Sequence, residues 1–516
     1  MTQGELEQIP QPFASEMSEL ERRIMEDIVE RIRANGFVTA TADWEISRLR
    51  QLGESEEQIR KWIAEVLKKT DEEMEKIFSD DVYEEYYGHA RAYKASGVVQ
   101  VPFAQNVPLQ QLIEAVRRQT QDTFRNMTAS MGFAIRDPVT GAIQYSPTMK
   151  FYRQTLDAAM MDIKSGAFSY NTVLQRVIGT MTDSGLRWID YDSGWHNRVD
   201  VAARRAVMTG FRQIQGKINE QVAKELQTVS YEVTYHVGAR PTHQPWQGRV
   251  WTMQELIDVC GLGTGPGLHG WNCYHDYKPF IPGVSVRTYT DEQLEKMMAE
   301  ENTPKEYLGK KYTTYEALQA QRKMETRMRK TRQDIRLMQD GGADPEAITL
   351  KKAKYQGQMQ TYKAFSEAMD LPEQMERVYQ DGLRGKFTPT KTEQKKLEEP
   401  VINDKIKAEF SAVGIKGIPK IHPEKIDVSK FTFDQIHINQ EREHGVTRTE
   451  AEQFIQEADI SLTRWNGQFI NYYGPHGATY VDVKNKNIRT SFKKEQFDEA
   501  TLKIREVAEK YGRGKD

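Results

Sequence analysis

Residues 235–283, YHVGARPTHQPWQGRVWTMQELIDVCGLGTGPGLHGWNCYHDYKPFIPG, gather four histidines and both cysteines of the 516-residue chain. His243, His269, Cys273 and His275 offer three imidazoles and a thiolate, the donor softness and number that a tetrahedral zinc site takes. HGWNCYH holds three of these donors in one short turn, and His243 approaches from a separate loop. The same residues also fit a plainer reading, with ordinary loop histidines and a small buried cysteine, because no CxxC pair fixes the spacing. GLGTGPGLHG matches neither a phosphate-cradling GxxxxGKS nor a strand-GxGxxG-helix pattern. Its glycines read instead as the means by which backbone wraps closely around the Cys/His turn.

Outward from this segment the pattern is mainly helical. Leu20, Ile24, Ile28 and Ile32 recur at helical spacing within residues 17–78, with Gly36 closing the first run. DDVYEEYYGHARAY continues in helical register, and SGVVQVPFAQNVP interrupts it at a hinge. Pro108 suits a first helical turn. Leu109, Leu112, Ile113 and Val116 then open an amphipathic face running toward Phe124, Met127 and Met131, followed by a turn at DPVTG. Helices are expected near 149–163, 170–181 and 198–226, the last delivering the chain into the Cys/His segment. SYEVTYHV alternates as a strand, and WTMQELIDVCG reads as a short helix.

From Tyr312 to Met369 two long amphipathic segments flank DGGADP, a helix stop and restart. Met324, Met328, Thr331, Ile335 and Met338 step by fours and threes, and Tyr355, Met359, Tyr362 and Met369 follow a similar helical rhythm. An antiparallel helical hairpin packed through these residues is the expectation.

Two stretches of this chain, GARPTHQPWQGRVW and GLHGWNCYHDYKPFIPG, resemble the core signature of the minor capsid, or head morphogenesis, proteins of tailed bacteriophages. In that family a histidine, a glycine about five residues on, and a Pro/Gly-rich turn ending in Asn-Cys and a second Cys or His follow a long helix. Here these are His243, Gly248, His269, Asn272, Cys273 and His275, the last replacing the cysteine of many relatives. YEALQAQRKMETRMRKTR and YKAFSEAMDLPEQMERVYQDG resemble the segment that follows the motif. The resemblance spans about residues 198–379. It implies a structural component of the phage head, made in the host cytoplasm and carried in the virion, with portal and capsid proteins as partners in a larger assembly.

Composition fits that expectation. Charged residues make up 28% and apolar ones 38%, no run approaches the ~20 apolar residues of a membrane span, and two cysteines suit a reducing compartment. The N-terminal stretch MTQGELEQIPQPF lacks the pattern of a secretory signal. Net charge is −3 but unevenly spread: residues 1–80 carry 19 acidic and 11 basic side chains, whereas 310–336 carry nine basic and three acidic. That basic stripe is a solvated helix face, or a contact for DNA or RNA or for an acidic protein surface.

Residues 386–430 shift to polar, Pro- and Gly-punctuated sequence and read as a linker. Beyond it, TRTE marks a capping box at Thr447 and Glu450, and ISLTRW, FINYYG, TYVDV and IRTSF alternate between NG, GPHG and KNKN turns. This helix-plus-antiparallel-sheet module is similar to the phage-associated branch of the barnase, EndoU, colicin and RelE-like nucleases. The resemblance implies a metal-independent ribonuclease carried by the particle. Its base and acid would be His437 or His444, its phosphate ligands Arg489 and Lys493 with Arg464 as a further candidate, and Tyr472 would stack on a base or hydrogen-bond the phosphate.

The fold class expected is therefore multidomain and mainly α with α+β parts. Residues 1–97 form a helical arm or bundle, 98–300 a small Cys/His-containing α+β core, 301–385 a long helical hairpin, 386–430 a linker, and 431–516 the nuclease-like module.

Overall fold

The computed structural model describes residues 3–35, 41–136, 140–165, 167–190 and 194–512. Gly36 and residues 137–139 of the DPVTG turn lie outside them. The chain divides into two compact units, residues 1–388 and 389–516. Among the described residues no helix is long and apolar enough to cross a membrane.

The first unit is built on two long helices. Gln11–Asn35 buries Leu20, Ile24, Ile28 and Ile32 completely, as their spacing requires. Val199–Glu225 is buried on much of its circumference, with Val207, Phe211, Ile214 and Ile218 all inaccessible. A helix of that kind belongs inside a bundle, and here Val107–Ala129, Val82–Tyr87 and Gln11–Asn35 pack around it. Asn106 caps Val107–Ala129 by accepting from the Leu109 amide, with Pro108 in the first turn.

That helix ends at Ala129, and Met131 begins a strand instead of continuing the helical face. Met131–Arg136 pairs antiparallel with Ile143–Pro147, and Arg187–Ile189 and His196–Arg198 complete a four-stranded sheet. A second sheet carries the Cys/His segment. Ser230–Val233 lies between Val250–Thr252 and Tyr277–Phe280, all antiparallel. The expected hairpin forms from Thr314–Asp340 and Pro345–Ala368. Asp344 caps the second helix at the Glu346 amide, and Met328, Ile335, Tyr355 and Tyr362 make the seam.

In the second unit, residues 386–430 depart from the linker reading. They contain the Lys391–Ala412 helix and the Ile418–Ile421 strand, which bury Ile406, Phe410 and Ile421. Charged faces and a mid-helix Pro400 disguise a helix whose apolar contacts are few but completely covered. Six strands follow the order Ile418–Ile421, Ile460–Arg464, Phe469–Tyr473, Gly477–Asp482, Asn487–Lys493, Thr432–Phe433; only the last pair is parallel. Strand alternation sends Ile460, Leu462 and Tyr473 to one face, under Lys391–Ala412 and Glu499–Gly512. It sends Tyr472, Val481 and Ile488 to the other, against Arg448–Glu457. The capping box is present: the Glu450 amide donates to Thr447 Oγ1 at 3.2 Å and the Thr447 amide to Glu450 Oε2 at 2.7 Å. Thr447→Ala is expected to cost about 1 kcal/mol, read as a lowered denaturation midpoint of this unit.

Candidate metal centre

The turn that carries Cys273 is shaped by its backbone. His269 and Asn272 adopt left-handed conformations, with φ of 60° and 54°, and asparagine tolerates that region better than most residues. Gly270 lies so close to the preceding loop that a Cβ would sit 2.2 Å from the Gly265 carbonyl oxygen. Gly248, at φ 70°, presses against Leu294, where a Cβ would come within 2.5 Å of Cδ2. The Asn-Cys pair and the glycine five residues after His243 thus set the chain path that presents the donors.

His243, Cys273 and His275 come together, each at most 5% exposed. His243 Nδ1 lies 3.4 Å from His275 Nδ1; Cys273 Sγ lies 3.5 Å from His275 Nδ1 and 3.9 Å from His243 Nδ1. A tetrahedral zinc ion with ordinary bond lengths separates two nitrogens by about 3.3 Å and a nitrogen from a sulfur by about 3.6 Å. The three edges therefore match one face of such a tetrahedron.

The tautomers point the same way. His243 Nε2 donates to the Pro266 carbonyl at 2.8 Å, and a carbonyl can only accept. His275 Nε2 donates to Gln247 Oε1 at 2.8 Å, an oxygen also held by the His236 amide at 3.1 Å. With both Nε2 atoms protonated, neutral rings turn two Nδ1 lone pairs toward each other. Burial, and for His275 also the neighbouring His236 and His243, pushes both pKa values down, which keeps the rings neutral. Facing lone pairs repel unless a cation lies between them, and second-shell acceptors on Nε2 are the usual device for fixing a metal-binding tautomer. Burial raises the Cys273 thiol, opposed by the Arg212 charge and by backbone hydrogen bonds at His275 and His269.

His269 is not part of this trio. Its Nε2 faces Asp276 Oδ1 at 3.2 Å and its ring packs on Tyr277. Asp276 joins a buried polar network in which Asn219 Nδ2 donates to it at 3.3 Å and Arg212 Nη1 stands 3.8 Å away, while Arg212 Nη2 donates to the Tyr274 carbonyl at 2.7 Å. Burial alone would raise the Asp276 carboxyl, but the His269 hydrogen bond and the Arg212 charge hold it at about 2. The sequence reading passed over these partners. Their trace is a polar stripe, Arg212, Gln215 and Asn219, at helical spacing on the buried side of the helix that leads into the Cys/His segment, every member at most 4% exposed.

The residues proposed for RNA cleavage do not all face solvent. His437 Nδ1 meets Glu441 at 2.9 Å, and the His444 ring packs 5.5 Å from Phe492 with its Nδ1 buried and unpartnered. Lys493 is ion-paired with Glu450 at 3.0 Å, and Arg489 is exposed. Tyr472 is a core residue: it is 1% exposed and its hydroxyl donates to the Glu424 carbonyl at 2.9 Å, so it offers no ring face for stacking. The basic stripe at 310–336 is not one surface either. Arg332 is buried on Asp381 and the Phe387 ring, and Arg336 pairs with Asp340 and Glu26.

Neither the comparison with curated proteins nor that with solved structures gives a match. The family model described as phage minor capsid protein 2 matches residues 1–366, which takes in the bundle, the Cys/His segment and nearly all of the helical hairpin but none of the second unit. On that match over most of its length, this chain belongs to the phage minor capsid protein 2 family.

Proposed function

We propose that the chain is a structural component of a tailed-phage head that acts at the portal or inner shell during assembly, its core locked by a zinc ion on His243, Cys273 and His275. The observation that carries this reading is the trio of donor atoms at tetrahedral edge lengths, buried inside the family-matched region. Three protein ligands leave a fourth position for water or for a group from another protein. The ion would supply cross-linking: it ties the loop at His243 to the turn at Cys273, two segments otherwise joined by few backbone hydrogen bonds. Elemental analysis of the purified chain is expected to give about one zinc per chain, lost in His243→Ala, and mass spectrometry of purified heads is expected to find the chain among their components. Folded, metal-free protein would remove the zinc lock. Heads that lack the chain would remove the capsid role.

A second reading concerns residues 389–516, which lie beyond the family match. The unpartnered His444 Nδ1, with His437 in its electrostatic field, supports an acid–base pair for RNA cleavage with Arg489 as phosphate ligand. The wild-type chain should then cut RNA without added metal, and His437→Ala and His444→Ala should each lower the rate by about 10²-fold or more. Equal RNA stability with and without the protein leaves this unit a non-enzymatic role.

A further inference from the structure

A cavity of about 260 Å³ opens among the Gln11–Asn35 helix, the Arg187–Ile189 strand, the start of Val199–Glu225 and the middle of Thr314–Asp340. Six cationic and four carboxylate side chains line it. The carboxylates are all committed. Glu21 accepts from Arg198 Nη2 at 2.8 and 3.1 Å and from the Leu186 amide at 3.0 Å. Asp200 lies 3.5 Å from Arg198 Nε, Asp183 is 2.9 Å from Lys330 Nζ, and Asp381 holds Arg332 at 2.7 Å. Arg22 is taken up by Glu19 and Glu26.

Three guanidiniums remain: Arg187, Arg327 and Arg329. Arg187 Nε donates to the Ser184 carbonyl at 3.0 Å and Arg329 Nη1 to Gln380 Oε1 at 3.2 Å, both neutral acceptors. Among the described residues none of the three has a carboxylate within ion-pair distance. Burial works against the charged forms of Arg187 and Arg329, and Arg198 adds to it, while the more distant carboxylate of Asp200 acts on both in the opposite sense. Half-buried guanidiniums with no carboxylate at bonding distance are costly, and an added anion would relieve that cost.

We propose that this cavity binds a phosphate group, with Arg187 and Arg329 presenting guanidinium forks from its walls and Arg327 closing from the exposed edge. Arg187, Arg327 and Arg329 bring three cations without a bonded carboxylate to the lining, and a phosphate carrying close to two negative charges answers more of that charge than a single carboxylate does. Guanidinium forks also match tetrahedral oxyanions in geometry. The site is separate from the Cys/His centre and from the second unit.

Calorimetric titration of the full chain tests it with three probes: inorganic pyrophosphate, a short single-stranded oligonucleotide carrying a 5′-phosphate, and the same strand without that phosphate. Wild type is expected to bind pyrophosphate. Arg187→Gln with Arg329→Gln should weaken binding by about tenfold or more, the scale of lost charge-assisted hydrogen bonds. Arg327→Gln changes an exposed side chain that the fold does not need, and should weaken binding severalfold. Lys311→Gln, an equal loss of charge on an exposed residue outside the cavity, should leave affinity unchanged. Binding of the phosphorylated strand but not of the bare one assigns the ligand to a nucleic-acid end; binding of pyrophosphate alone assigns it to a small phosphate compound. The proposal is overturned if wild type binds none of the probes, or if the arginine variants bind as tightly as wild type.

Discussion

Cys273→Ala is expected to abolish metal retention and to remove the response of the chain to chelators. The wild-type protein should melt at a lower temperature once a strong chelator is present, whereas the variant should melt at one temperature in both conditions. A ligand at about a thousand times its dissociation constant stabilises the folded state by ~4 kcal/mol, and structural zinc binds tightly enough to reach that regime. Truncating a cysteine that is 5% exposed also leaves a small cavity, and that cost is present with or without chelator. The two contributions therefore separate: the cavity lowers the variant's midpoint, and only the metal produces a chelator-dependent shift. A wild type whose melting ignores the chelator would show that the facing Nδ1 atoms of His243 and His275 are reconciled by something other than a cation.

The second large effect is expected at Arg212. Arg212→Met removes a guanidinium that is 4% exposed and leaves the Asp276 carboxylate, 3% exposed, with the hydrogen bonds of His269 and Asn219 and the more distant charge of Lys278. Breaking a buried pair by deleting one member costs about 3–5 kcal/mol, because the remaining charge is neither solvated nor paired. Arg212 also donates to the Tyr274 carbonyl, within the Cys273–His275 turn, so the variant should hold zinc more weakly. Combining Arg212→Met with Asp276→Asn should cost less than the two single changes added together, by about 0.5–3 kcal/mol, since the double variant leaves no unpaired charge. Equal and additive costs in denaturant unfolding would mean that Arg212 acts only through packing and its carbonyl contact.

Much of the helical scaffold is legible locally. Ile24 and Ile28 sit one turn apart and both are buried, Pro108 and Asn106 open a helix, and DGGADP separates the two arms of the hairpin. The strands at 460–464, 469–473, 477–482 and 487–493 coincide with the alternating segments between NG, GPHG and KNKN turns. Failures occurred where local signals were weak or shared. Met131 satisfies a helical face and a strand equally well, and its pairing with Trp188 decides for the strand. Lys391–Ala412 looks like polar linker because only a narrow line of its residues, Ile406 and Phe410 among them, is buried.

At the metal centre the sequence reading collected four donors, and three of them meet. His269 and His275 have the same chemistry and neighbouring positions, so spacing alone cannot choose between them. The choice is made by the left-handed backbone at His269 and Asn272, which turns one imidazole to Asp276 and the other to Cys273.

By itself the sequence determined the elements and the inventory of donors, because helix periodicity, capping, turns and side-chain chemistry are properties of a few adjacent residues. Tertiary structure alone decided which donors converge, which tyrosine is core, and which arginines are left without a carboxylate. Those outcomes depend on residues far apart in the chain, such as Arg187 and Arg329, being brought to one cavity, and no local pattern encodes that distance.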